Sequence, residues 1–115
     1  MQKVVHLIQK DLSRKVTLDE MARAVNLSAI HLRSLFKSEI GMTPAQYQKR
    51  LRLLEAKRLL ESTFLNVQEI MIRIGLGDDS HFVRDFKKAY GLTPAQYRAL
   101  HHKKGREREG GHNKS

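Results

Sequence analysis

Two arginines lie in short amphipathic stretches, where their side chains could recognise the edges of DNA bases. Arg33 and Arg84 each carry a guanidinium group, which can donate two hydrogen bonds to O6 and N7 of one guanine. Ile30, on the same stretch as Arg33, could pack on a thymine methyl group. The alternative for either arginine is a phosphate contact or an ion pair within the protein, since Asp79 and Asp85 lie near Arg84.

The residues around these arginines divide into an apolar face and a polar face at helical spacing. If Leu32, Phe36 and Ile40 point inward, helical geometry turns their neighbours outward. The first outward face comprises Ala29, Ile30, Arg33, Ser34 and Lys37, and the second comprises Asp79, Ser80, Val83, Arg84 and Lys87. We predict that the first four residues of each face read bases.

Asp79 is open to two interpretations. Its carboxylate could accept a hydrogen bond from cytosine N4, but an acid in the first turn of a helix more often caps free N–H groups. The capping role is favoured for two reasons. A carboxylate at the start of a helix offsets the helix dipole, and a carboxylate close to DNA would be repelled by the phosphates. We therefore expect the second stretch to bind DNA more weakly than the first.

A second set of side chains is suited to the phosphate backbone. Amines, guanidinium groups and the exposed starts of capped helices attract phosphate oxygens without reading sequence. The predicted phosphate-binding residues are Ser28, Lys37, Lys87, Lys88 and Arg98. The whole chain supports a polyanionic partner, because 22 Lys and Arg against 12 Asp and Glu give a net charge of +10.

Other kinds of chemistry have less support. A chain of 115 residues leaves little room for an enzyme pocket, and the absence of Cys removes disulfides and thiolate chemistry. Residues 78–81 (DDSH) contain the residue types of a catalytic triad, but consecutive helical positions diverge. No two His have the helical spacing of a metal site. We predict no enzyme, cofactor or metal, and packing or phosphate proximity for His31 and His81.

A membrane is the second partner that a basic chain suggests. No stretch approaches the roughly 18 apolar residues of a spanning helix, and no apolar run near Met1 has the layout of a signal peptide. The sequence therefore predicts a cytoplasmic protein without a membrane partner.

An internal repeat organises the chain. The run TPAQY at residues 43–47 recurs at residues 93–97, and the pair FK at residues 36–37 recurs at residues 86–87. Upstream, an offset of 49 aligns residues 17–27 with residues 66–76. A gapped match of this length indicates one supersecondary unit used twice.

Each copy predicts two short helices joined by a tight turn. In the first copy Thr17 begins a capping box, Asn26 suits a turn with positive φ, and Ser28 caps the second helix. The second copy repeats this plan with Gly75 at its turn and an aspartate as its cap. A polar, basic second helix is typical of a helix-turn-helix. The alternative is a helical hairpin that only packs, which the second copy and the charge disfavour.

The segment between the copies predicts a long helix, because residues 44–61 contain no helix breaker after the initial proline. Its apolar residues lie on two sides, with Tyr47, Leu51 and Leu54 on one and Leu53, Ala56 and Leu60 nearly opposite. A helix that is apolar on both sides must be covered on both, so we predict a rod about 27 Å long with one unit on each flank. A helix over about residues 3–12 should complete the first core.

These elements predict an all-α chain of about seven helices, with two helix-turn-helix subdomains joined by a long linker helix. The expected divisions are a first helix-turn-helix subdomain at residues 1–42, the linker helix at 43–62, a second helix-turn-helix subdomain at 63–102 and a basic disordered tail at 103–115. A solvated tail is favoured over one that adds attraction to phosphates.

Two runs of the sequence resemble the signature of a known family. The runs RLRLLEAKRLL (residues 50–60) and VQEIMIRIGLGDDSHFVRDFKKAYGLTPAQYR (residues 67–98) are similar to the signature of AraC/XylS transcription regulators. The resemblance covers about residues 3–100. It implies a bacterial, nucleoid-associated domain whose two recognition helices enter adjacent major grooves of double-stranded DNA, with the outward faces above as the base-contacting positions. It also implies activation of transcription through contact with RNA polymerase.

The sequence differs from the family pattern at two positions, and it contains no counterpart of a domain that many members carry. Met71 stands where the family prefers a small residue and Leu76 replaces the usual Phe, so we expect a looser or shifted helix approach in the second unit. Many members carry a separate sensor domain, which we expect to be missing here, with the isolated domain monomeric and any dimer formed through that missing part.

The competing class of function is a helical adaptor that binds a protein such as RNA polymerase and contacts DNA weakly or not at all. A steep fall of DNA affinity with salt, together with a part of the affinity that depends on sequence, would distinguish the DNA reader from the adaptor.

Overall fold

The computed structural model describes residues 1–76 and 81–102, and these residues form seven α-helices and no strand. The helices are α1 (Gln2–Gln9), α2 (Leu18–Ala24), α3 (Ala29–Ile40), α4 (Pro44–Ser62), α5 (Val67–Arg73), α6 (His81–Tyr90) and α7 (Pro94–His101). The predicted all-α class is confirmed for this part of the chain. The predicted cap at residue 78 or 79, the base-reading residues Asp79 and Ser80, and the tail at 103–115 lie outside the described residues. None of the seven helices is long and apolar enough to cross a membrane.

The chain divides into two compact units, Met1–Arg52 and Leu53–Ser115, with the boundary inside α4. The first unit has a core of buried apolar residues from α1 to α3, with side chains of α4 packed against it. Its buried members are Val4, Ile8, Val16, Met21, Ala22, Leu32 and Phe36. The second unit has its own core, which comprises Leu53, Ala56, Leu59, Leu60, Ile70, Met71, Ile74, Phe82, Phe86 and Tyr97.

The first helix-turn-helix is built as its sequence predicts. The Thr17 hydroxyl accepts a hydrogen bond from the Glu20 N–H (3.1 Å), and the Glu20 carboxylate accepts one from the Thr17 N–H (3.1 Å). After α2, Asn26 adopts a φ of +58° and the Leu27 N–H donates to the Ala22 carbonyl (3.0 Å), which closes a Schellman turn. The two helices are therefore joined by a fixed turn.

The second helix-turn-helix has the same turn. Asn66 and Glu69 form its capping box, with both hydrogen bonds at 2.8 Å. Gly75 has a φ of +85°, a conformation that glycine adopts without steric cost, and the Leu76 N–H donates to the Met71 carbonyl (2.8 Å). Met71 led us to expect a looser approach of the helices in the second unit. The turn itself is not loosened, because it is closed by the hydrogen bond that is equivalent to the one from Leu27 to Ala22 in the first unit.

Two details of packing differ from the expectations. α1 ends at Gln9 rather than near Leu12, because the Asp11 carboxylate accepts hydrogen bonds from the Ser13 N–H (3.0 Å) and hydroxyl (2.6 Å), which hold the chain in a turn. Leu54, which was expected to face the first core, is 43% exposed, because the residues of α4 that pack on that core end at Leu51.

Acid should destabilise the first unit through Glu20. Hydrogen bonds from Thr17 and the ion pair with Arg14 hold the pKa of this carboxyl below its ordinary value. A lower pKa in the folded state adds stability above the unfolded-state pKa of about 4.3, and this stability is lost as the pH falls through the folded-state pKa.

Thermal unfolding should therefore be measured from about pH 7 down to about pH 3. The unfolding temperature should fall more steeply with decreasing pH for the wild type than for Glu20→Gln. Glutamine keeps a capping side chain but does not titrate in this range. Equal pH slopes for the two proteins would contradict this prediction.

Candidate nucleic-acid interface

The outward face predicted for the first unit lies on α3. Ile30 is 85% exposed, and Arg33, Ser34 and Lys37 are exposed beside it, while Ala29 is half-buried at the start of the helix. The opposite side of α3 is anchored by Leu32 and Phe36, which are fully buried in the core. This burial leaves the polar face free to approach a partner.

A hollow beside α3 adds two residues that the sequence did not indicate. Its lining consists of Leu18, Ile30, Arg33, Ser34, Lys37 and Ser38. Ser38 follows Ser34 by one helical turn and could have been found from helical spacing. Leu18 could not have been found in that way, because it lies on α2 and reaches this hollow only through the packing of the two helices.

The second unit presents the equivalent face on α6. Val83, Arg84, Lys87 and Lys88 are exposed, and Phe86 anchors the opposite side in the core. Arg84 and Asp85 approach to 3.6 Å, so the predicted alternative of an ion pair is present. The Arg84 side chain is nonetheless 67% exposed, and a surface pair of this kind contributes little free energy.

The two helices have the same order of buried and exposed positions. Residues 31–40 and residues 81–90 match position for position in their burial, as the offset of 50 requires. His31 and His81 occupy equivalent, exposed positions on these helices, which argues against core packing as their role. The repeat in sequence is therefore a repeat of the exposed surface as well.

The hydroxyl and amine groups predicted to bind phosphate remain accessible. Ser28 is exposed and its hydroxyl accepts a hydrogen bond from the His31 N–H (3.1 Å), so it caps α3. Lys37 is exposed near the end of α3, and Lys87 and Lys88 are exposed near the end of α6.

Arg98 makes contacts within the protein that the sequence did not predict. Its guanidinium group donates to the carbonyl oxygens of Thr63 (2.9 Å) and Leu65, and at 3.4 Å to those of Leu59 and Leu60. Partial burial also lowers the pKa of this group below its ordinary value. Four of the five N–H groups of Arg98 thus have partners in the protein, which leaves few donors for the phosphate contact that the sequence predicted.

Comparison with known proteins identifies the kind of domain. Residues 21–100 match the model of a family described as a helix-turn-helix domain. The chain is 41% identical over 95 residues to the DNA-binding dual transcriptional regulator Rns of Escherichia coli, an alignment that covers 83% of this chain and 36% of Rns. It also matches the transcriptional regulator MtrA of Neisseria gonorrhoeae at 34% identity over 96 residues, covering 81% of this chain and 32% of MtrA. The chain thus spans about a third of the length of these relatives.

A solved structure has the same fold and a related sequence. The C-terminal domain of AraT, a response regulator from Geobacillus stearothermophilus, superposes with a TM-score of 0.81 at 33% identity, over 88% of this chain and 84% of that one. Rns, MtrA and AraT each match both helix-turn-helix units, since their alignments cover more than four fifths of the chain. This chain belongs to the AraC/XylS family of transcription regulators and contains the DNA-binding domain of that family.

Proposed function

We propose that the domain recognises a two-part DNA site, with α3 in one major groove and α6 in the next. The observation that carries the proposal is the shared pattern of burial in α3 and α6, which gives each unit one helix with an exposed, basic face. A helix with such a face fits the major groove of B-DNA, and two units in one chain favour two blocks of sequence one helical turn apart.

Specific bases are assigned to the side chains that project furthest. Arg33 reads a guanine by two hydrogen bonds, and Ile30 packs on a thymine methyl group, for which its 85% exposure leaves it fully available. Arg84 has the guanine-reading role in the second block. The remaining base-reading positions are Ala29, Ser34 and Val83, together with Asp79 and Ser80.

Selection of bound duplexes from a randomised library tests the proposal. At about physiological salt, where binding to phosphates alone is weakened, we expect two short blocks about 10 base pairs apart. A single block would restrict sequence reading to one unit. No enrichment at all would overturn the proposal, in favour of the helical adaptor or of a domain that binds DNA only together with a partner.

Replacing Lys87 with alanine should weaken binding to all duplexes equally. The amine is assigned to a phosphate, so its loss should reduce the slope of log affinity against log salt by about 0.9 without a change of preferred sequence. Lys87→Arg keeps the charge and should keep the slope. A Lys87→Ala variant that retains the salt slope but loses sequence preference would assign this residue to a base.

The role of the full-length protein is a further part of the proposal. A relative described as a transcriptional activator, RhaR of Mannheimia succiniciproducens, supports activation of transcription. RNA polymerase is the protein partner in this proposal, and the bacterial cytoplasm is the location. The domain alone acts as a monomer, and a sensor domain outside this chain would supply effector binding and any dimerisation. Transcription in vitro from a promoter that carries the selected site, with and without the domain, tests activation.

A further inference from the structure

Buried polar side chains occupy equivalent positions in the two units. Gln48 and Arg52 lie one helical turn apart on α4 and are only 8% and 6% exposed. Arg98 and His102 lie one turn apart at the end of α7, with His102 buried and Arg98 half-buried. Positions 48 and 52 correspond to positions 98 and 102 through the offset of 50 between the two repeats, although the residue types differ.

In the first unit this pair holds the segment that leads into α2. The Gln48 amide oxygen accepts a hydrogen bond from the Val16 N–H (3.1 Å), and its amide nitrogen donates to the Val16 carbonyl (3.0 Å). Arg52 donates to the carbonyls of Leu12 (3.0 Å) and Arg14 (3.4 Å). Two side chains of α4 thus hold the backbone of residues 12–16, which enters the helix-turn-helix.

In the second unit the equivalent pair holds the segment that leads into α5. Arg98 donates to the carbonyls of Thr63 (2.9 Å) and Leu65, and the Nε2 atom of His102 lies 2.8 Å from the same Thr63 carbonyl. Leu65 is the residue that the offset of 49 aligns with Val16. Position 48 and its counterpart at 98 therefore bond to the carbonyl of the same repeat position in both units.

We infer that these pairs are positioning residues for DNA recognition, and we call each pair a loop clamp: Gln48 with Arg52, and Arg98 with His102. The inference rests on the proposed function, in which α3 and α6 read bases. α2 and α5 have seven residues each, too few for a helix to be stable by itself, so their placement depends on what holds their two ends. The Schellman turn fixes one end to the recognition helix, and the loop clamp fixes the other.

The consequence is that each recognition helix is aligned by contacts within its own unit. A base-reading side chain must be held within about 0.5 Å of its working geometry, and this requires support from the residues behind it. Loss of one loop clamp should therefore impair one half of the DNA site and leave the other half intact.

The Gln48→Met variant tests the first clamp, because methionine has the length of glutamine but cannot bond to Val16. Affinity is measured for the selected duplex and for duplexes with either block scrambled, at a temperature where circular dichroism shows the variant folded. We expect a loss of about tenfold on the intact duplex. Scrambling the block bound by α3 should then cost the variant less than it costs the wild type, whereas scrambling the other block should cost both proteins the same.

A matched control separates positioning from stability. Val4→Ala removes apolar volume from the fully buried core of the same unit but leaves the two hydrogen-bonding partners, Gln48 and Val16, unchanged. This variant should also lose stability but, once folded, should bind both blocks as the wild type does. If Gln48→Met matches Val4→Ala, or if it loses both blocks equally, the positioning role is overturned.

Arg98 provides the same test in the second unit. Arg98→Gln introduces the residue type that the first unit uses, and it can still donate to one carbonyl, whereas Arg98→Met cannot donate at all. The affinity for the block bound by α6 should fall in the order wild type, Arg98→Gln, Arg98→Met. Equal losses in the two variants would contradict the hydrogen-bonding role.

Hydrogen exchange tests, without DNA, whether the first loop clamp holds α2 in place. In Gln48→Met the amides of α2 should exchange faster relative to those of α5, which serve as the internal reference. Unchanged relative exchange would overturn the clamp even if DNA binding were impaired. Failure of the wild type to select any duplex would overturn the proposed function alone, since the exchange experiment would still report on the clamp.

Discussion

An Arg33→Ala variant should lose about 1–3 kcal/mol of binding free energy for the selected duplex, which is roughly 5-fold to 150-fold in affinity. The guanidinium group is exposed on α3, and no ion pair engages it within the described part of the chain. It is therefore available to bind guanine without first giving up a protein partner. The same substitution at Arg84 should cause a smaller loss, because we expect the second unit to bind DNA more weakly than the first.

Two comparisons make the Arg33 result specific. Arg33→Lys keeps the charge but loses the planar pair of donors, so it should keep the salt dependence while losing preference for guanine at one position. Binding to an unrelated duplex should fall little in either variant. If Arg33→Ala weakened specific and unrelated duplexes by the same factor, the residue would be a phosphate contact and the base-reading assignment would be wrong.

Local signals predicted most of the helices. Both capping boxes, the positive φ of Asn26 and Gly75, and the cap at Ser28 depend on residues within a few positions of one another, and the structure has all of them. The outward face of α3 followed from helical spacing alone, because burial of Leu32 and Phe36 determines where their neighbours point. The repeat then transferred the same reasoning to α6.

The features that were missed depend on contacts between residues far apart in sequence. Gln48 bonds to Val16 across 32 positions, and Arg98 bonds to Leu65 across 33. Neither residue type indicates burial, and the two copies of the clamp differ in composition, so the alignment of the repeats gave no signal. Arg98 was interpreted as a phosphate ligand because its charge is visible in the sequence and its carbonyl partners are not.

The loop clamps also bear on the charged residues of this chain, because a positive charge by itself does not identify a phosphate-binding side chain. Arg52 and Arg98 contribute to the net charge of +10, yet both are directed to backbone carbonyls. Bonds to four carbonyls use four of the five N–H groups of Arg98, so its removal should affect DNA binding through helix placement rather than through salt dependence. Net charge therefore overstates the number of side chains that meet phosphate.

Phe86→Ala should cause the largest loss of stability in the second unit, about 3–5 kcal/mol. The ring is fully buried, and its centroid lies 4.8 Å from that of Tyr90, 5.6 Å from that of Tyr97 and 5.9 Å from that of Phe82. A domain of this size is stable by only about 5–15 kcal/mol, so the substitution removes a large part of the free energy of unfolding. Chemical denaturation followed by circular dichroism measures the loss.

The equivalent residue of the first unit supplies the matched comparison. Phe36 is also fully buried, but within the described residues its aromatic contact is with Tyr47 alone, at 5.6 Å. Leucine keeps most of the apolar area and removes the ring contacts, each worth about 0.5–1.5 kcal/mol beyond burial. Phe86→Leu should therefore destabilise the protein more than Phe36→Leu. Equal losses would mean that buried area alone, and not the aromatic cluster, stabilises the second core and holds α6 in place.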